Sequence, residues 1–99
     1  MVTTPEAELL RKKAGQYLKG LRKDIGIYQN VLGERLGLEF FTFVSQVERG
    51  ACQMPPYLVK KWADALGVDH KEFALTLLKY YHPDYHEMIF LSKTRRKPS

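Results

Sequence analysis

The sequence predicts an all-α protein, a compact bundle of five or six helices. Apolar residues recur at the three- and four-residue spacing of amphipathic helices, and proline or glycine separates one apolar stretch from the next. The alternation of apolar and polar residues that is typical of strands does not appear. Because 99 residues can bury only one modest core, we expect a single domain over residues 1–91.

The first helix is expected to begin at Thr4-Pro5-Glu6, where a capping hydroxyl precedes a proline suited to the first helical position. It should run to about Lys23 and end at Gly26. Its predicted inner face consists of apolar residues at helical spacing, which are Leu9, Leu10, Ala14, Tyr17, Leu18 and Leu21.

Two short helices are predicted next, one over residues 28–36 and one ending at 49, each followed by a glycine. The second of them can begin at either Leu38 or Phe40, and we expect the start near Phe40. The residues predicted to face inward are Val31, Leu32, Leu36, Phe43, Val44 and Val47.

The fourth helix is predicted to start at Pro55-Pro56 and to close at Gly67, with Trp62 in the core. Asp69 and Glu72 form a capping box for a fifth helix, which His82-Pro83 ends before a short sixth helix over residues 84–91. These two helices make up a C-terminal segment over residues 69–91. The last residues, 92–99, form a basic tail that we expect to be disordered, either solvated or clamping DNA non-specifically.

Composition points mildly to a polyanionic partner, since sixteen Lys and Arg against eleven Asp and Glu leave a net charge of +5. Residues 26–50 nevertheless carry two arginines against three glutamates. The single cysteine, Cys52, excludes an internal disulfide and suits a reducing compartment. No apolar run approaches the roughly 20 residues of a membrane span, and no signal peptide pattern is present. We therefore expect a soluble cytoplasmic protein without a membrane partner.

Two short helices joined by a glycine-centred turn are the geometry that places a second helix in the major groove of DNA. Residues 26–50 resemble the lambda-repressor-like (Cro/XRE-type) helix-turn-helix family almost position by position. The matching segments are Gly26-Ile27-Tyr28-Gln29, Leu32-Gly33, Leu36-Gly37, Val44-Ser45, Glu48-Arg49-Gly50, Pro55-Pro56 and WADALGV at 62–68. The resemblance implies a bacterial or phage transcriptional regulator that binds specific double-stranded DNA and associates with the nucleoid.

The resemblance also implies roles for individual residues in and around the motif at about 28–49. The expected base contacts are Phe41, Thr42, Phe43, Ser45 and Gln46. The expected phosphate contacts are Lys19, Arg22, Tyr28, Gln29 and Arg49. Arg22 and Glu48 are expected to form a structural pair between the first helix and the end of the recognition helix.

The chemistry of the base-facing side chains predicts a half-site that leans towards A·T pairs. Gln46 can bond adenine with both amide atoms, Thr42 can bond a base edge or touch a thymine methyl, and Phe41 can only pack on methyl groups. For Phe41, burial in the core and contact with another protein are alternatives to DNA contact.

The C-terminal aromatic residues are expected at the seam of a homodimer that binds an inverted repeat. They are Tyr80, Tyr81, Tyr85 and Phe90. The alternative is that these side chains cap the core of the same chain.

A second functional class stays open, an antitoxin-like or adaptor protein-interaction module in which the aromatic face Phe40–Phe43 holds a partner. That partner would belong to an antitoxin-type pair or to the transcription machinery. His82 and His86 have a metal-binding spacing but no further ligands, so we expect no metal and no cofactor. The sequence contains no recognisable catalytic arrangement, and we expect no enzymatic activity.

Overall fold

A computed structural model describes residues 4–90, and within this span the chain forms six α-helices and no strand. The helices are α1 (Pro5–Asp24), α2 (Gln29–Arg35), α3 (Thr42–Glu48), α4 (Pro56–Leu66), α5 (His70–Tyr81) and α6 (Pro83–Phe90). The all-α prediction is confirmed. The predicted basic tail at 92–99 lies outside the described residues.

Local chemistry accounts for where most of these helices begin and end. The Thr4 hydroxyl accepts the N–H of Ala7 at 3.0 Å, and the Asp69 carboxylate accepts that of Glu72 at 2.9 Å, so both predicted N-caps are formed. The four glycines predicted to end helices all have positive φ, a conformation that suits glycine; they are Gly26, Gly37, Gly50 and Gly67.

The hydrophobic core lies between α1, α4 and α5 and is closed by the inner faces of α2 and α3. Trp62 and Phe73 are completely buried, as expected for Trp62. The other buried apolar side chains are Ala14, Leu18, Leu32, Leu36, Val44, Val47, Met54, Leu58, Ala63, Leu66 and Leu77. Leu9 is 53% exposed, so its predicted place on the inner face of α1 is wrong. The α1 stripe is buried only beyond its first turns.

The backbone of α1 packs directly against the end of α3. A Cβ atom added at Gly15 would overlap the carbonyl of Glu48, lying 2.6 Å from its carbon, and one added at Gly50 would lie 2.8 Å from the Lys12 Cα. Only residues without a side chain permit this approach. The contact fixes where the end of α3 lies along α1, and thereby the position of the α2–α3 pair on the bundle.

The sixth helix packs mainly against α5 and leaves one side uncovered. None of the helices within residues 4–90 combines the length and the apolar character required to cross a bilayer.

Candidate nucleic-acid interface

The second and third helices form a helix-turn-helix in which α3 starts later than the sequence suggests. Both expected starts, Leu38 and Phe40, are wrong, because α3 begins at Thr42 and Phe41 occupies its N-cap position. After Gly37 the Leu38 N–H bonds the Gly33 carbonyl at 2.9 Å, which closes α2. The chain then crosses α2 so tightly that a Cβ at Gly33 would lie 3.1 Å from the Phe41 Cβ. Phe40 and Phe41, which the sequence pattern assigns to α3, belong instead to the turn that makes this crossing.

The third helix buries one face and presents the other to solvent. Val44, Val47 and Glu48 are buried, whereas Thr42, Gln46 and Arg49 are exposed. These exposed positions, spaced by four and three residues, lie on one face of a helix. The expected base-contacting residues Thr42 and Gln46 are thus brought together.

The remaining expected base contacts occupy less open positions. Phe43 is half-buried and packs against the core, as the apolar pattern also suggests. Ser45 is half-buried, and its hydroxyl accepts a hydrogen bond from Arg49 Nε at 3.3 Å. Phe41 is 46% exposed, which excludes full burial in the core.

A buried ion pair joins α1 to the end of α3. Arg22 Nε donates to Glu48 Oε2 at 2.8 Å and its NH2 to Glu48 Oε1 at 3.0 Å, and the two side chains are only 7% and 2% exposed. Arg22 NH1 also donates to the Ile27 carbonyl at 2.8 Å, while Gln29 Nε2 donates to Glu48 Oε1 at 3.0 Å. The network ties together the end of α1, the start of α2 and the end of α3.

This network alters the surface charge that residues 26–50 present. Glu48 is neutralised by Arg22, so the slight acidity of residues 26–50 does not describe the surface. Because all three guanidinium nitrogens of Arg22 already bond within the chain and the residue is 5% exposed, its expected phosphate contact finds little free surface. Its geometry accounts for the structural role.

A groove beside the ion pair collects most of the remaining expected phosphate contacts. We call it the Lys19–Phe41 groove, and its lining residues are Lys19, Arg22, Lys23, Tyr28, Gln29, Asn30 and Phe41. Lys19 and Lys23 lie one helical turn apart on α1, so two cations face the N-terminal end of α2. Cations and amide groups at such a site suit a phosphate backbone.

Sequence reasoning missed Lys23 and Asn30 as members of this surface. Lys23 follows Lys19 by four residues on the same face of α1, and Asn30 directly follows Gln29 in the first turn of α2. Those spacings were the available signal. Only the packing of α1 against the motif shows that both residues line one groove.

The four C-terminal aromatic residues separate into two pairs. The Tyr80 ring lies 6.3 Å from that of Tyr17, and the Tyr81 hydroxyl accepts the N–H of Met54 at 3.2 Å. Burial raises the pKa of Tyr81 above its ordinary value. Tyr80 and Tyr81 therefore cap the core of their own chain, which is the alternative to the dimer seam.

The other pair, Tyr85 and Phe90, is 63% and 50% exposed on α6. Met88 and Ile89, which sequence reasoning did not assign to the seam, are also exposed, at 68% and 61%. Tyr85, Met88 and Ile89 have the i, i+3, i+4 spacing of one helical face. The described part of α6 thus presents an apolar face that no other segment of residues 4–90 covers.

Neither Cys52 nor the histidine pair His82 and His86 belongs to a reactive or metal-binding site within residues 4–90. Burial raises the pKa of the Cys52 thiol despite the opposing charges of Arg11 and Arg49, so the thiol stays protonated at neutral pH. Within residues 4–90, no three His, Cys, Asp or Glu side chains come close enough together to hold a metal ion.

The six-helix arrangement and the α2-turn-α3 geometry define a helix-turn-helix protein. Among solved structures, the chain is similar to the restriction-modification controller protein C.AhdI from Aeromonas hydrophila. The identity is 34% and the TM-score 0.58, over 63% of this chain and 92% of that one. It is also similar to the clp gene regulator ClgR from C. glutamicum, with 25% identity and a TM-score of 0.59 over 69% of this chain and 87% of that one. No family model and no curated protein sequence matches the chain.

These similarities agree with the motif quoted above, and the chain belongs to the lambda-repressor-like (Cro/XRE-type) helix-turn-helix family.

Proposed function

We propose that this protein is a transcriptional regulator that binds specific sequences of duplex DNA by placing α3 in the major groove. The observation that carries the proposal is the exposed polar face of α3, with Thr42 and Gln46, beside the cationic Lys19–Phe41 groove. A recognition helix needs such a face for the bases, and its flank needs cations for the phosphates. The similarity to a controller protein and a gene regulator supports the regulatory part.

Base readout is assigned mainly to Gln46 and Thr42. The Gln46 amide can donate to and accept from adenine, and Thr42 at the first position of α3 can reach a base edge at the N-terminal end of the helix. Phe41 can contribute an apolar contact. Phe43 and Ser45 are assigned a smaller part in base contact because both side chains are half-buried.

Phosphate contacts are assigned to the groove and to the C-terminal end of α3. Lys19, Lys23 and Tyr28 lie in the groove, and Tyr28 is 78% exposed. Gln29 bonds Glu48 with one amide hydrogen and keeps the second for a phosphate oxygen. Arg49 lies at the far end of α3 and is exposed.

Two copies of the protein are proposed to bind an inverted repeat, with α6 at the seam. The exposed apolar face of Tyr85, Met88 and Ile89 supports this arrangement, because an uncovered apolar face is stabilised by burial against a second copy. Two-fold symmetry would place the half-site centres about one helical turn, roughly 34–36 Å, apart.

The proposal is tested by selecting binding sites from a random pool of duplex DNA at about 150 mM salt, which weakens non-specific attraction. We expect an inverted repeat with A·T pairs at the positions read by Gln46. Gln46→Ala should then lose about 1–3 kcal/mol of discrimination at one position of each half-site. Gln16→Ala, an exposed change on α1 outside the groove, is the matched control. Strict G·C preference at the positions altered by Gln46→Ala would contradict the assignment.

Salt dependence tests the phosphate contacts separately. If a dimer neutralises about eight phosphates, log K should fall against log salt with a slope near −7. Lys23→Ala should reduce the slope by about one for each protomer, while Lys71→Ala, an exposed lysine on α5, should leave it unchanged. Equal slopes for both variants would remove the groove from the DNA interface.

The exposed Phe40 favours a second candidate function, a protein-interaction module. Its side chain is 68% exposed in the turn before α3, where a partner chain could cover it. Recovery of no consensus sequence, together with a protein partner that co-purifies with the wild type and not with Phe40→Ala, would favour this candidate.

A further inference from the structure

The Lys19–Phe41 groove combines two chemistries that a single nucleotide also combines. The cations Lys19 and Lys23 line it together with the phenyl ring of Phe41. We propose that this groove binds a phosphate and the C5-methyl group of a neighbouring pyrimidine, so that binding depends on that methyl and accepts 5-methylcytosine as well as thymine. The inference rests on the proposed function, because it assumes that α3 lies in the major groove.

The backbone at Phe41 lies tightly against α2. Phe41 occupies the N-cap of α3, with φ −82° and ψ −3°, immediately before the first helical residue. Behind it the backbone of α2 is so close that a Cβ at Gly33 would lie 3.2 Å from the Phe41 Cα. The residue cannot retreat towards α2, and with 46% exposure it presents apolar surface where the end of a recognition helix meets the bases.

A phenyl ring selects among base edges by apolar contact. The major-groove edges offer hydrogen-bonding atoms on every base, and thymine adds the C5-methyl group. A phenylalanine placed against an amino or carbonyl group would remove it from water without replacing its hydrogen bonds. Phe41 therefore favours a methyl-bearing pyrimidine over the other base edges.

The lysines determine where along the strand this pyrimidine lies. Lys19, Lys23 and Phe41 line the same groove, so a phosphate held by the lysines lies close to the base that faces the ring. Gln29 and Asn30 add amide donors to the lining of the groove. The charge of the groove thus matches a nucleotide backbone, and its phenyl ring matches the methyl group beside that backbone.

The chemistry extends beyond thymine because 5-methylcytosine carries the same methyl group at C5. Uracil and cytosine lack it. Burying one methyl group changes an equilibrium by about fourfold, which sets the size of the expected effect at each half-site. The protein would then distinguish methylated from unmethylated cytosine at one position of its site.

The first arm of the test measures binding of wild-type protein to the selected duplex in which each thymine is replaced in turn by uracil, which removes only the methyl. We expect about fourfold weaker binding at one position per half-site. That sensitivity should disappear in Phe41→Ala and persist in Phe40→Ala and in Thr42→Ser, which deletes the one competing methyl on α3. Persistence in Phe41→Ala, or loss in Thr42→Ser alone, would overturn the assignment to Phe41.

The second arm replaces the sensitive T·A pair by C·G with and without the cytosine methyl. Methylation should strengthen wild-type binding about fourfold and leave Phe41→Ala unaffected. No response to methylation in the wild type would refute methylcytosine recognition. Specific binding without any methyl sensitivity overturns this inference alone, whereas the absence of specific duplex binding overturns the proposed function as well. Phe41→Leu, an apolar replacement, checks that lost sensitivity does not follow from misfolding.

Discussion

Removing Glu48 should destabilise the fold far more than removing a surface carboxylate. In Glu48→Ala, the guanidinium of Arg22 would stay buried and keep only the Ile27 carbonyl of its three hydrogen-bonded contacts. The side chains are 7% and 2% exposed, so the small value typical of surface ion pairs does not apply. Leaving one charge buried and unpaired typically costs about 3–5 kcal/mol.

The double variant Arg22→Met with Glu48→Leu should recover most of that loss. It removes both charges and refills the site with apolar side chains of similar size, a change that is often neutral or stabilising. Gln29 would lose one partner, but it is half-buried and can bond water instead. The double variant should therefore lie within about 1 kcal/mol of the wild type.

Urea unfolding followed by far-ultraviolet circular dichroism measures these differences. With a slope near 1.5 kcal/mol/M, a loss of 3–5 kcal/mol moves the midpoint by about 2–3 M. The control is Asp64→Ala, which breaks the exposed Asp64–His70 contact, with side chains 62% and 48% exposed, and should cost under about 1 kcal/mol. A loss for Glu48→Ala no larger than this control, or a double variant as unstable as Glu48→Ala, would refute the reasoning.

Three further outcomes follow from the contacts of single residues. Gly15→Ala should destabilise by about 1–3 kcal/mol because its Cβ meets the backbone of α3, whereas Gly20→Ala, with open space around it, should stabilise by about 0.5–1 kcal/mol; thermal unfolding shows whether the signs differ. Burial raises the pKa of Tyr81 above 10.0, so its stabilising contribution is complete below that pH and disappears as pH rises through the folded value. Urea midpoints between about pH 9 and 11 should thus fall less in Tyr81→Phe than in the wild type, and equal falls would contradict the burial effect. Cys52 should react with a thiol reagent at pH 7 more slowly than an unstructured cysteine peptide, because burial raises its pKa; an equal or faster rate would argue against this environment.

Much of the candidate site could be anticipated from residue types and spacing. The polar positions Thr42 and Gln46 and the pair Arg22–Glu48 follow from the motif, and the structure brings the members of each set together. Lys23 could not be assigned from sequence alone, because its proximity to α2 depends on how α1 crosses the motif.

The start of α3 could not be predicted from the local pattern of apolar residues. Apolar residues from Leu38 to Phe43 are compatible with several helix starts, and no capping side chain distinguishes them. The helix starts at Thr42 because the preceding residue, Phe41, crosses α2 closely at Gly33. Gly33 and Phe41 are eight residues apart in the sequence. The spacing of apolar residues in the sequence does not predict this contact between Gly33 and Phe41.

The sequence by itself determined the helical class and most helix ends, because caps such as Thr4 and Asp69 and the terminating glycines act through neighbouring residues. Tertiary structure decided which apolar residues are covered, since Leu9 fits the α1 stripe and is still 53% exposed, whereas the Tyr81 hydroxyl accepts the N–H of Met54 within its own chain. It also decided the charge of the interface, because Glu48 loses its influence on the surface once Arg22 from another helix neutralises it. Burial and charge pairing join residues distant in sequence, so they become definite only when the helices pack.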